Sequence, residues 1–270
     1  MNSLNNQNHN EEFDIYELMI IPSNKKAEMI IDEVVKDNPD ISLIKTLVNL
    51  GANLDWPDES RRTALHWSAY ANNVEVAEEL LNAGVDINTQ DVCGQTAIFA
   101  TLWGFKSNVD MIHFLIERGI DINIQDSKGE TFLYFASIVR EASIVKILLK
   151  KGADPNITTV SGKTPLHIAT KDSDSIMVQL LLETNADPNI QDYHYFTPLH
   201  LAVIFGNLEI TKILINAKTD VNIQDEDGDT ALHLAYIKNN SEIIKALLEA
   251  GSNPEIQNNS KLTPIENIII

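Results

Sequence analysis

The chain has 270 residues, with 20 Lys plus Arg against 39 Asp plus Glu, a formal charge of −19, 44% hydrophobic and 22% charged residues. That hydrophobic fraction is enough to build a core and excludes wholesale disorder, while the negative surplus repels phosphate backbones and anionic headgroups, so neither nucleic acid nor direct membrane binding is expected. A single cysteine, Cys93, excludes an intrachain disulfide and a Cys-based zinc site, and with no export signal or membrane-length apolar run it leads us to expect a cytoplasmic protein.

Residues 1–23 read as a polar N-terminal arm, Asn-rich and disordered to about Glu12, then acidic and apolar from Glu11 to Ile21. Residues 24–57 predict two helices, one through Met29, Ile30, Ile31, Val34 and Val35, the next capped by Asp40 and ending at Gly51. From there the chain repeats itself. Thr63, Thr96, Thr131, Thr164, Thr197, Thr230 and Thr263 each open a similar tetrapeptide, from Thr63-Ala-Leu-His66 through Thr164-Pro-Leu-His167 and Thr197-Pro-Leu-His200 to Thr263-Pro-Ile-Glu266, at steps of 33, 35, 33, 33, 33 and 33. A second marker, Gly84-Val-Asp-Ile-Asn88, returns in register as Gly119–Asn123, Gly152–Asn156, Asn185–Asn189 and Lys218–Asn222. Two markers at one spacing make chance negligible.

Each period predicts two short helices. Leu166, Ile168 and Ala169 fall at helical spacing on the first, and Val178, Leu181 and Leu182 on the second. A lone pair of such helices cannot cover both apolar faces, so neighbouring pairs must stack. Six units begin near Asp58, Asp91, Asp126, Thr159, Asp192 and Asp225 and span 58–257, and a truncated unit of at most one helix covers 258–270 with apolar Ile268–Ile270 at the open end. Departures from the pattern are informative. Lys218 replaces the helix-ending Gly, at a cost on the order of 1 kcal/mol in the left-handed region. Arg61, Tyr195 and Lys261 replace the turn Gly found at 94, 129, 162 and 228, and therefore need another conformation or accept strain. Two extra residues fall within Gly104–Val109, where they lengthen a loop.

The repeated Thr-Pro-Leu-His opening at this period resembles the ankyrin-repeat family over roughly residues 24–270, with 24–57 as a degenerate N-terminal unit. The resemblance implies an all-α solenoid of stacked helix-turn-helix units joined by β-turn hairpins. It also implies that His66, His167, His200 and His233 form an internal hydrogen-bonding ladder, a structural role that Phe99 and Tyr134 at the equivalent positions support. A metal-dependent or catalytic protein using these His and acidic residues is the alternative from another class, but no ligand spacing favours it, and neither metal nor cofactor is expected. Asp225-Glu-Asp-Gly-Asp229 fails as an EF-hand because Ile223 stands where the first ligand belongs, so it reads as a solvated acidic turn. Cys93, at a hairpin tip with no His in that hairpin, does not read as a nucleophile.

Proteins of this resemblance bind partners through hairpin tips and the exposed ends of first helices. Carried over position by position, those ends are Tyr70-Ala71, Trp103-Gly104, Ile138-Val139, Lys171-Asp172, Ile204-Phe205 and Ile237-Lys238, and the fifth tip is Tyr193-His194-Tyr195-Phe196. The candidate protein-binding residues are therefore Tyr70, Trp103, Ile138, Tyr193, His194, Tyr195, Phe196, Ile204, Phe205 and Ile237. Acidic tip residues Glu59, Glu130, Glu226, Asp227 and Asp229 surround them, which suits a protein partner whose basic residues flank an apolar anchor. The expectation is a monomeric, non-catalytic protein–protein interaction scaffold. High Ile and Asn usage fits an A/T-rich genome, and the resemblance then implies a host-directed effector of an intracellular bacterium, with an endogenous adaptor or enzyme inhibitor as the alternative.

Overall fold

The computed structural model describes residues 15–36, 38–103 and 108–268. The Asn-rich start of the arm, the loop residues 104–107 with Gly104, and the final Ile269 and Ile270 lie outside the described residues. Among those described, β pairing is confined to the single bridges Gln125–Thr131 and Gln224–Thr230, and everything else regular is helical.

The chain forms two compact units, the first built from residues through Val92 with Thr96–Gly119, the second from Cys93–Gln95 with residues from Ile120 onward. In the first unit the helices are α1 (Ile15–Ile20), α2 (Ser23–Val34), α3 (Ile41–Asn49), α4 (Ala64–Tyr70), α5 (Val74–Asn82), α6 (Ala97–Ala100) and α7 (Val109–Glu117). Helix α1 starts within the expected arm and buries Leu18 while exposing Ile15, Tyr16, Met19 and Ile20. Helix α2 packs on α3 and α4, and α4 packs on α5 and α6.

The second unit contains α8 (Phe132–Ile138), α9 (Ala142–Lys150), α10 (Pro165–Lys171), α11 (Ser175–Glu183), α12 (Pro198–Ile204), α13 (Leu208–Asn216), α14 (Ala231–Ile237) and α15 (Ser241–Glu249), followed by a 3-10 turn at Glu266–Ile268. First helices stack on first helices in the order α8, α10, α12, α14, and each contacts its own second helix. Leu166 and Ala169 from α10 and Val178 and Leu181 from α11 are buried, each large apolar side chain contributing about 1.5–3 kcal/mol.

The repeated tetrapeptide starts each first helix by capping chemistry. Thr197 lies in the extended region, so its side chain can turn back over the helix end; His200 Nδ1 accepts the Thr197 backbone N–H at 3.1 Å, and the Thr197 hydroxyl lies 2.8 Å from the same nitrogen. Thr63, Thr164 and Thr230 form the same box with His66, His167 and His233. Second helices start on Asx caps: Asp174, Asn207 and Asn240 accept the N–H of Met177, Ile210 and Ile243 at 3.0 to 3.2 Å.

Two departures from the repeat take definite form. Lys218 adopts φ +61°, the left-handed conformation that Gly152 and Gly251 take at the same place, and Arg61, Tyr195 and Lys261 likewise hold φ of 59° to 61°. Space is not the obstacle at the helix end, since a Cβ at Gly152 or Gly251 would meet nothing within 4 Å. The Thr219 hydroxyl donates 2.8 Å to the Leu214 carbonyl, which keeps the exit hydrogen-bonded despite the strain. Lys218→Gly is therefore expected to stabilise the protein by about 1 kcal/mol, read as a rise of about 2–4 °C in the thermal midpoint.

Helix α6 is the second departure. The repeat spacing places Trp103 at a helix end, but the helix stops at Ala100, and Trp103 lies in the turn beyond it. The Thr101 hydroxyl donates 2.6 Å to the Ile98 carbonyl, and Thr101, Leu102 and Trp103 donate their N–H groups three residues back. A side chain bonded to that carbonyl and a tightened 3-10 exit end the helix early.

Candidate recognition surface

In the second unit the hairpin Asp192–Phe196 is held from several sides. Asp192 is buried and its Oδ1 accepts the N–H groups of His194 at 2.9 Å and Phe196 at 3.1 Å. Gln191 Nε2 donates to the carbonyl of Tyr195 at 2.7 Å and to that of Gln224 in the next hairpin at 2.9 Å. The tip backbone also reaches both neighbours, Tyr193 N–H donating to Ser161 O at 3.1 Å and Glu226 N–H to His194 O at 3.2 Å. Fixed in this way, the tip presents Tyr193 and Tyr195 at 72% and 55% exposure with little ordering left to lose on binding.

The four consecutive ring-bearing residues do not all face solvent. Tyr193, His194 and Tyr195 are exposed, whereas Phe196 is half-buried, its ring 6.2 Å from His194 and 6.0 Å from His200. Phe196 turns inward because its carbonyl is gripped from the preceding repeat by His167 Nε2 at 3.0 Å. There it lines a pocket of about 210 Å³ between α10 and α12, with Ile168, Leu201 and the half-exposed Phe205. His194, His167 and Asp192 also line it, as do Lys163 and Lys171. Tyr193, Tyr195 and the half-buried Ile204 do not, and neither do Ile138 and Ile237 at the ends of α8 and α14, which are 36% and 48% exposed.

In the first unit Tyr70 and the half-buried Trp103 belong to a cluster around Arg62. Its guanidinium lies 4.3 Å from the Trp103 ring centroid and 5.7 Å from that of Trp67, and its Nε is 3.4 Å from the buried Asp91 carboxylate. Trp67 meets Tyr70 edge to face at 5.7 Å and donates from Nε1 to Asp58 at 3.0 Å. The contact positions implied by the resemblance do not single out Trp67, Arg62 or Lys163. The repeat register does place them on shared positions without marking their role: the position before Thr63, Thr164 and Thr197 holds Arg62, Lys163 and Phe196, and the position four after holds Trp67, Ile168 and Leu201.

Three of the capping-box histidines, His167, His200 and His233, have both ring nitrogens engaged. Nδ1 of His167, His200 and His233 accepts the capping Thr N–H, and Nε2 therefore carries the proton donated to the carbonyls of Phe196, Asp229 and Leu262 at 3.0, 3.3 and 3.1 Å. Burial pushes the His167 imidazolium below its usual range and that of His200 down to about 4, against the small opposing pull of those carbonyls. Among the described residues no group of three His, Cys, Asp or Glu is placed to hold a metal ion. The acidic turn Asp225–Asp229 is less solvated than expected. Burial, then the neighbouring Asp229 and Asp227 charges, raise the Asp225 carboxyl to about 6, and buried Asp229 accepts from Asn258 Nδ2 at 2.7 Å. Cys93 is exposed.

A family model described as ankyrin repeats in three copies matches residues 97–192 and 177–258, and one described as ankyrin repeats in many copies matches residues 47–98. No curated protein matches the chain. Among the described residues no helix is long and apolar enough to cross a membrane.

Proposed function

Since this chain belongs to the ankyrin-repeat family, whose members are generally protein–protein interaction modules and typically non-catalytic, we propose that it is a monomeric binding scaffold whose principal contact surface is the fifth complete unit. The observation that carries this reading is the rigid, aromatic tip at Tyr193 and Tyr195 beside the apolar pocket floored by Phe196 and Phe205. Exposed aromatics on a preorganised turn are the usual material of interface hot spots. The exposed acidic tip residues Glu226 and Asp227 favour a partner with basic residues on the flank of its apolar anchor that faces this hairpin, consistent with a chain of charge −19. The first-unit cluster of Tyr70, Trp67 and Trp103 offers a secondary contact of the same type, and the ends of α8 and α14 add Ile138 and Ile237.

Tyr193→Ala and Phe205→Ala together test the site without touching the inward-packed Phe196. The folded double variant, verified by circular dichroism, is expected to lose at least tenfold in affinity for proteins that the wild type captures from lysate. Equal retention by both would remove the fifth unit as the site. Lysate of the producing cell and lysate of a eukaryotic host are used side by side: a partner only in the second supports a host-directed effector, a partner in the first an endogenous adaptor or inhibitor.

A further inference from the structure

Apart from the buried Asp192, whose Oδ1 is taken up by N–H groups of its own hairpin, the pocket between α10 and α12 is bordered by charge opposite in sign to that of the whole chain. Lys163 stands just before the N-cap of α10 and Lys171 is its last residue, so two ammonium groups bracket about 10 Å of helix beside the apolar floor. Neither makes an ion pair among the described residues. In the stacking direction beyond the pocket, the next hairpin carries Glu226 and Asp227, both exposed, with Glu226 Oε2 3.4 Å from His194 Nδ1 on the pocket's own lining. The order along the repeats is therefore ammonium, apolar pocket, carboxylate. A volume of about 210 Å³ lies below the roughly 300–1,000 Å³ of small-molecule sites, so the pocket suits one large side chain of a polypeptide.

We infer that this pocket takes a single apolar side chain from a polypeptide segment that carries a carboxylate on the side facing Lys163 and Lys171 and a basic residue on the side facing Glu226 and Asp227. The inference rests on the fifth unit being the binding surface and adds the charge order of the ligand. A segment acidic on both sides meets the carboxylates of the next hairpin and the net field of the chain. One that is basic on both sides meets the two ammonium groups. Only the dipolar segment finds an opposite charge at each flank, which fixes its orientation as well as its identity.

The test is selection of a phage-displayed random 12-residue peptide library on the immobilised full chain, repeated on Lys163→Glu/Lys171→Glu and on Phe205→Ala, with folding of each variant checked by circular dichroism. The expected consensus on wild type is one large apolar residue with Asp or Glu on one side and Lys or Arg on the other. Peptides so selected should bind the double Lys variant about tenfold or more weakly, and selection on that variant should lose the acidic flank. A wild-type consensus lacking the acidic flank, with binding lost in Phe205→Ala, overturns the charge order and leaves the binding surface standing. Enriched peptides indifferent to all three substitutions overturn the assignment of this pocket. Enrichment of nothing on wild type overturns the inference and counts against the surface as well.

Discussion

Gly162→Ala is expected to lower the unfolding free energy by roughly 2–5 kcal/mol, far more than a surface Gly→Ala change. The residue holds φ +76°, and a Cβ there would lie 2.9 Å from Asp192 Cα and Tyr193 N and 3.0 Å from Asp192 C. Those are backbone atoms of the next hairpin, locked by the Asp192 and Gln191 hydrogen bonds, so they cannot swing aside as a side-chain end can. The left-handed conformation contributes about 1–2 kcal/mol and the overpacking about 1–3 kcal/mol. Gly251→Ala serves as the control: at φ +90° a Cβ meets nothing within 4 Å, so only the conformational part remains. Urea denaturation of both variants gives the difference. Equal losses would show that the hairpins separate freely. Because the displaced atoms belong to the hairpin that carries Tyr193 and Phe196, Gly162→Ala is also expected to weaken partner binding without touching the partner.

Acidification is the second large effect, and its sign follows from the buried imidazoles. His200 titrates near 4 in the fold against about 6.5 when unfolded, and His167 is displaced in the same direction. Between these values the unfolded chain binds a proton that the folded chain refuses. The stability contributed by neutral His200 is thus complete above about pH 6.5 and is lost as pH falls toward 4, by on the order of 3 kcal/mol. Asp225 acts in the opposite sense. Its folded carboxyl is raised from 3.8 to about 6, so the fold binds the proton first and gains relative stability as pH falls through that window. A His200→Phe variant, which copies the buried Phe99 at the equivalent position, isolates the imidazole. The stability difference between wild type and variant is expected to shift by about 3 kcal/mol in favour of the variant from pH 7 to pH 4. A difference independent of pH would show that His200 accepts its proton within the fold.

The period was legible because the residues that mark it are dictated by hydrogen bonding: Thr caps the first helix, His returns the bond, and Asp or Asn caps the second. Phe99, Tyr134 and Glu141 show that single units can do without one of these types, but the types that recur keep one register. The positive φ at Lys218 and Tyr195 was half legible, since the repeat shows that Gly is missing there without showing which way the backbone yields. The recognition surface was less so. Tyr193 and Phe196 are alike in composition and three residues apart, yet one faces water and the other the pocket, because the carbonyl of Phe196 is held from the previous repeat. Lys163 gave no apolar or aromatic signal, and Trp67 reads as an ordinary helix residue until Arg62 and Asp58 are seen around it. The short α6 depends on a threonine hydroxyl choosing a carbonyl, a local competition that the repeat spacing does not record.

The hydrogen bonds from His167, His200 and His233 each reach forward, to Phe196, Asp229 and Leu262, never to a carbonyl in their own hairpin. The posture of these three tips is therefore inherited from the repeat before each, and the unit that can be transplanted is offset from the unit that the sequence repeats. Moving the aromatic tip to another scaffold by copying 192–205 alone would carry the rings and leave behind the residues of 159–171 that aim them. By the same offset, recombination that breaks a gene within a first helix separates a tip from its holder, whereas a break after the tip leaves the pair intact.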